Sequence, residues 1–123
     1  MTNVDLFRDL DPTPLVAALT EKTREGKLIW EPTAADNTFI VSLGGENTLR
    51  IELESEEDED DYGQPVTVQR PTMKMLDSKG KTIWEIPSSK VKTGLWPLFR
   101  LVQRVAYKLD EKMSAVLEAL EKL

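Results

Sequence analysis

Between residues 54 and 61 the chain carries seven carboxylates in eight positions: Glu54, Glu56, Glu57, Asp58, Glu59, Asp60 and Asp61, ahead of Tyr62 and Gly63. Acids this dense could hold a cation, grip a basic partner, or work as a paired general acid and base. A dedicated calcium loop is tested first. Asp58, Asp60 and Gly63 fall at its first, third and sixth positions, but the fifth is Tyr62 and the twelfth is Gln69 instead of a bidentate glutamate, and Pro65 interrupts the middle. Acid–base catalysis needs two carboxyl groups in unlike environments, which a wet run of like residues does not supply. Neighbouring like charges a few Å apart repel by about 1 kcal/mol per pair even in water. Residues 54–64 are therefore expected to be a flexible, solvated hairpin loop. Its functional reading is an electrostatic handle, formed by Glu56, Glu57, Asp58, Glu59, Asp60 and Asp61, for a basic partner.

Other short patterns fail on context. Gly80-Lys81-Thr82 ends like a phosphate-binding loop, but the required first glycine would fall at Met75 and the segment joins two strand patterns. Ser89 to Lys92 reads S-x-x-K and Lys92-Thr93-Gly94 reads K-T-G, but one lysine would have to serve both motifs of a serine hydrolase far larger than this chain. No catalytic, cofactor-binding or metal-ligating residue is assigned, and no cofactor is expected. Two further patterns are candidates for partner binding. Arg100, Arg104, Lys108 and Lys112 recur every four residues and make a basic stripe if their helix is continuous. Trp96, beside Leu95 and Phe99, becomes an interface residue if it proves exposed.

The elements that must position these residues follow from periodicity. Thr13 is placed as the cap of a helix over about 14–25, with Pro14 in its first turn, an apolar stripe of Leu15, Ala18 and Leu19, and Gly26 past its end. Ahead of it, Val4, Phe7 and Leu10 suggest a short turn or docking arm. Residues 27–31 (KLIWE) read as a strand, and Phe39, Val41 and Leu43 share one face of the next. In residues 48–55, Leu49, Ile51 and Leu53 alternate with Arg50, Glu52 and Glu54, as in a sheet with one buried and one wet face. Val66 and Val68 open another strand, where Pro71 suggests an edge, a bulge or a break. Residues 82–86 (TIWEI) form the last. From Leu95 the spacing becomes helical: Leu98, Leu101, Val102, Val105 and Leu109, then Met113, Val116, Leu117 and Leu120. Asp110 could cap a second helix over about 111–122, so one bent helix and two consecutive helices are both compatible. Trp30, Trp84 and Trp96 are read first as core residues.

Composition bounds the classes of function. With no cysteine and no histidine among 123 residues, disulfides, thiolate and imidazole chemistry and most zinc sites are excluded. The net charge of −6 is local: eight of the 22 acids lie between Glu52 and Asp61 without a base, leaving 14 acids against 16 bases elsewhere. That balance and the acidic segment argue against nucleic acid, although the basic helix remains a further alternative. No apolar run approaches a membrane span, and residues 1–12 (MTNVDLFRDLDP) lack a secretory pattern, so a cytoplasmic location is expected and no membrane partner.

Thr23, Gly26, Lys27, Leu28 and Trp30, followed by the strand patterns and the closing helical pattern with arginines, resemble small uncharacterised bacterial proteins. In those, a helix ending in T-x-x-G-K-[LI]-x-W precedes a β-meander and a terminal helix. The resemblance implies no activity or cofactor. The expectation is one α+β domain over 1–123: an N-terminal helix, an antiparallel meander of four or five strands, and a C-terminal helix or helix pair packed on one sheet face. In function it is expected to be a non-catalytic bacterial interaction module with an unidentified protein partner. The alternative is an inhibitor or immunity-type protein that sets its acidic loop against a basic partner. Sheet edges and aromatics are compatible with a homodimer without demanding one.

Overall fold

The computed structural model describes residues 10–45 and 47–123. Val4 and Phe7 of the expected N-terminal arm lie outside them. The architecture is α+β: helix α1 (Thr13–Arg24), five strands β1 (Glu31–Pro32), β2 (Thr38–Ser42), β3 (Thr48–Glu59), β4 (Pro65–Leu76) and β5 (Thr82–Pro87), a 3-10 turn at Ser88–Lys90, then α2 (Trp96–Ala106) and α3 (Leu109–Glu121). The strands pair antiparallel in chain order, β1-β2-β3-β4-β5, so each is joined to its neighbour by a local connection.

Alternation along each strand places two cross-strand rows on one face. Phe39, Ile51, Met73 and Ile86 form the first, and Val41, Leu49, Met75 and Trp84 the second. All of the first row is buried, and α1 and α2 cover it with Val16, Leu19, Leu98, Phe99 and Val102. Phe39 is the hub: its ring meets Phe99 edge-on at 5.8 Å and Tyr107 at 5.1 Å. Aromatic pairs of this kind add roughly 0.5–1.5 kcal/mol each beyond the area they bury.

Several local expectations are corrected. Helix α1 buries Val16, Leu19 and Thr23 while Ala18 faces solvent. Its cap position is Pro12, not Thr13; the Thr13 amide donates instead to Asp11 Oδ1 at 2.9 Å, which with the Thr13 hydroxyl holds the Asp11 carboxyl below its ordinary range. Gly26 has φ +74°, the left-handed geometry that ends a helix cheaply only in glycine. Of the segment 27–31 expected to be a strand only Glu31 pairs with β2, together with Pro32 just past it. Residues 27–30 run as irregular chain because Trp30 turns into the core, where its indole N–H donates to Thr23 Oγ1 at 2.9 Å and the Thr23 hydroxyl donates to the Leu19 carbonyl at 2.7 Å. Leu43, past the end of β2, is 43% exposed.

Pro71 does not interrupt β4. Its partner Leu53 gives its amide to Asn37 on the β2 side, so the peptide groups of Pro71 point away from β3, past the point where β5 pairing ends at Thr72↔Pro87. Proline is tolerated there because no ladder bond is required of its nitrogen.

Candidate interaction surfaces

The acidic run is strand, not loop. β2 accompanies β3 only as far as Thr38↔Glu52, and β5 accompanies β4 only from Thr72 onward, whereas β3 and β4 stay paired out to Glu59↔Pro65. The segment from Leu53 to Glu59 with Pro65 to Pro71 is thus a two-stranded ribbon projecting about 20 Å past the rest of the sheet. At its tip the Asp60 carboxylate closes the turn, accepting the amides of Tyr62 at 2.8 Å and Gln64 at 2.9 Å, and Gly63 takes φ +75°. The expected flexible connection shrinks to residues 60–64.

Strand alternation then sorts the acids, because successive side chains point to opposite faces. Glu54, Glu56 and Asp58 share a face with Val66, Val68 and Arg70. The Arg70 guanidinium forks onto Glu56 at 3.0 Å and Asp58 at 2.6 Å, while Lys74 takes Glu54 at 2.7 Å. The Asp58 carboxyl is held below its usual range by the Glu59 amide and by Arg70. Glu57 and Glu59 point the other way, beside Pro65, Thr67 and Gln69, and Asp61 lies at the tip. Among the described residues no ion pair reaches Glu57, Glu59 or Asp61, and no group of three or more potential ligands is placed to hold a metal ion.

The face of the sheet away from the helices closes over its own charges. Lys74 Nζ stands 2.8 Å from Glu52 and 2.7 Å from Glu54, and Arg50 Nε is 3.5 Å from Glu52. The four charges cancel, and the carboxylates raise the Lys74 pKa above its ordinary value.

At the C-terminal end the structure separates the candidates. The chain breaks between α2 and α3 at Lys108, which adopts φ 53° and ψ 47°; Lys108 rather than Asp110 precedes the first turn of α3. The basic stripe is therefore split. Arg100 and Arg104 lie on α2, Lys108 is the break itself and Lys112 lies on α3, and the Arg104 guanidinium is spent on a two-pronged contact with Asp110 at 2.8 and 3.0 Å, which raises its pKa. Trp96 is 38% exposed at the start of α2, packed edge-on against Phe99 at 5.9 Å and capped by the Arg100 guanidinium 5.6 Å from its ring.

Sequence periodicity missed the fate of the last helix. Every residue of α3 is exposed, including Leu109, Met113, Val116, Leu117 and Leu120, each between 43% and 59%. The spacing that marks these residues as apolar gives no sign that the sheet does not cover them. No family model, curated protein or solved structure matches the chain. Among the described residues no helix is long and apolar enough to cross a membrane.

Proposed function

We propose that the protein is a non-catalytic interaction module of a bacterial cytoplasm that docks a basic protein surface against the open face of its acidic ribbon. The observation that carries this reading is the sorting of the acids: Arg70 and Lys74 tie down one face of the ribbon, while among the described residues no cation pairs with Glu57, Glu59 or Asp61 on the other face and the tip. A paired ribbon offers these carboxylates already in place, so less ordering entropy opposes binding than a free loop would incur. An inhibitor that covers a basic site would use the same surface. The environments of the acids favour binding over catalysis: the carboxylates at the open face and tip of the ribbon, Glu57, Glu59 and Asp61, are all exposed, and a general acid needs the desolvation that raises its pKa. Nucleic-acid binding has less support, because the basic stripe is interrupted and Arg104 is engaged by Asp110.

The test replaces Glu57→Gln, Glu59→Gln and Asp61→Asn together, leaving the Arg70 fork intact, and compares capture of proteins from the native cell extract at low and high salt. A basic protein retained by the parent chain at low salt, and released by salt or by the triple substitution, is the expected result. Equal retention by both chains would remove the ribbon from the interface.

A further inference from the structure

From the exposed stripe of α3 we infer that the helix pairs in parallel with the α3 of a second copy of this chain. This surface is separate from the acidic ribbon, so the inference stands or falls independently of what the ribbon binds.

The first ground is spacing. Within α3, Leu109, Met113, Val116 and Leu120 follow one another at four, three and four residues, and Leu123, two residues past the helix end, stands three further on. That is the 3.5-residue repeat of a seam between two helices, narrower than the stripe that packs on a sheet. Leu117 widens it on one side and Ala119 on the other. Leu109, Met113, Val116, Leu117 and Leu120 are at least 43% exposed, and Leu123 is 98% exposed. A helix of this length standing by itself is only marginally stable in water, so covering the stripe also stabilises the helix.

The second ground is charge. With about 100° between successive residues, Asp110 and Glu121 flank one edge of the stripe and Lys112 flanks the other. In a parallel pair each edge faces the opposite edge of the second copy, so Asp110 meets Lys112 twice over by symmetry. In an antiparallel pair each edge faces its own kind, and registers that stack the stripe bring Asp110 near Glu121 of the second copy. Contacts of this exposed sort contribute only about 0.2–1 kcal/mol each, enough to choose an orientation while the apolar stripe supplies the attraction. Arg104 holds Asp110 bidentately and so fixes its carboxylate at this edge.

The area sets the strength. A helix of 13 residues is about 20 Å long and offers a face of roughly 200 Å², well short of the ~800 Å² per partner of a standard stable interface. The pair is accordingly weak, with a dissociation constant on the order of 10–1000 μM.

Sedimentation velocity of the full chain across that concentration range is the primary test. A monomer–dimer equilibrium is expected, weakened at least tenfold by Leu120→Glu and about two- to thirtyfold by Lys112→Glu, the latter setting acid against Asp110 of the second copy. Because the chain lacks cysteine, Leu123→Cys supplies a single thiol, and mild oxidation should join two copies through it. A chain that stays monomeric throughout, or a dimer indifferent to Leu120→Glu, overturns the proposal. Cross-linking through a Leu109→Cys, Leu120→Cys pair between copies, without cross-linking through Leu123→Cys, overturns the parallel orientation. Sedimentation of a monomeric chain with phosphatidylcholine–phosphatidylglycerol vesicles, lost in Leu120→Glu, would assign the stripe to a lipid surface and overturn it as well.

Discussion

Helices α2 and α3 are consecutive, nearly equal in length and alike in apolar spacing, but their fates differ. Leu98, Phe99 and Val102 of α2 are buried against the sheet, whereas every residue of α3 is exposed. The divergence begins at Tyr107, whose ring packs on Phe39, and Lys108, whose left-handed backbone redirects the chain. A helical apolar period states that a face requires cover; it does not say whether the cover comes from the same chain. The sheet repeats the contrast. Its inner face is closed by helices, and its outer face is closed by Lys74, Glu52, Glu54 and Arg50 neutralising one another.

The largest expected effect separates the two helices directly. Leu98→Ala opens a cavity in the core and should cost about 2–5 kcal/mol in urea unfolding. Leu120→Ala, measured in dilute solution where copies stay apart, should cost less than about 0.5 kcal/mol beyond helix propensity. Equal losses would mean that α3 is covered by its own chain and would dissolve the comparison. Next in size is the outer face. Lys74→Met leaves Glu54 without its cation and Glu52 with Arg50 alone, and should cost about 1–3 kcal/mol at neutral pH. Since the folded Lys74 pKa is raised above its ordinary 10.5, its contribution is fully present below that value and is lost as pH rises through the higher folded one. The difference in urea midpoint between parent and Lys74→Met should therefore stay flat from neutral pH to about 10.5 and shrink above it. A difference that shrinks already near neutrality would show that Lys74 is not held by the carboxylates.

Much of this organisation was legible in the chain. The alternation of Leu49, Ile51 and Leu53 against Arg50, Glu52 and Glu54 identified both faces of β3, and the change of period at Leu95 marked the helices. Residues 54–59 were not legible as strand because local composition counts their repulsion and omits their partners. Arg70, which meets both Glu56 and Asp58, lies 14 and 12 residues away, and register alone brings it there. The segment 27–30 misled in the opposite direction. Its β-forming residues suited a strand, but the buried Trp30 N–H needed an acceptor, and Thr23 on the preceding helix supplied one. Of the candidate contact residues, the sequence identified the acids without their division into tied and open faces, and the stripe of α3 without its exposure.

The break between the helices offers smaller tests. A non-glycine residue in the left-handed region costs about 1 kcal/mol, so Lys108→Gly should raise stability by up to that amount, less the added freedom of the unfolded chain. A loss of about 1 kcal/mol instead, the usual cost of glycine within a helix, would show α2 and α3 to be continuous. The smallest effect belongs to Arg104 and Asp110, the ion pair that spans the break. Both side chains are about two-thirds exposed, at 60% and 66%, so solvent and salt screen their attraction. Arg104→Ala should cost no more than about 0.5 kcal/mol, and the difference from the parent should vanish in roughly 1 M salt. The orientation of α3 is a more sensitive readout than stability, because the Arg104–Asp110 pair spans the break at Lys108 where the direction of α3 is set. Distances from a spin label on α3 to one on β5 should broaden in Arg104→Ala. An unchanged distribution would assign the direction of α3 to the backbone at Lys108 alone.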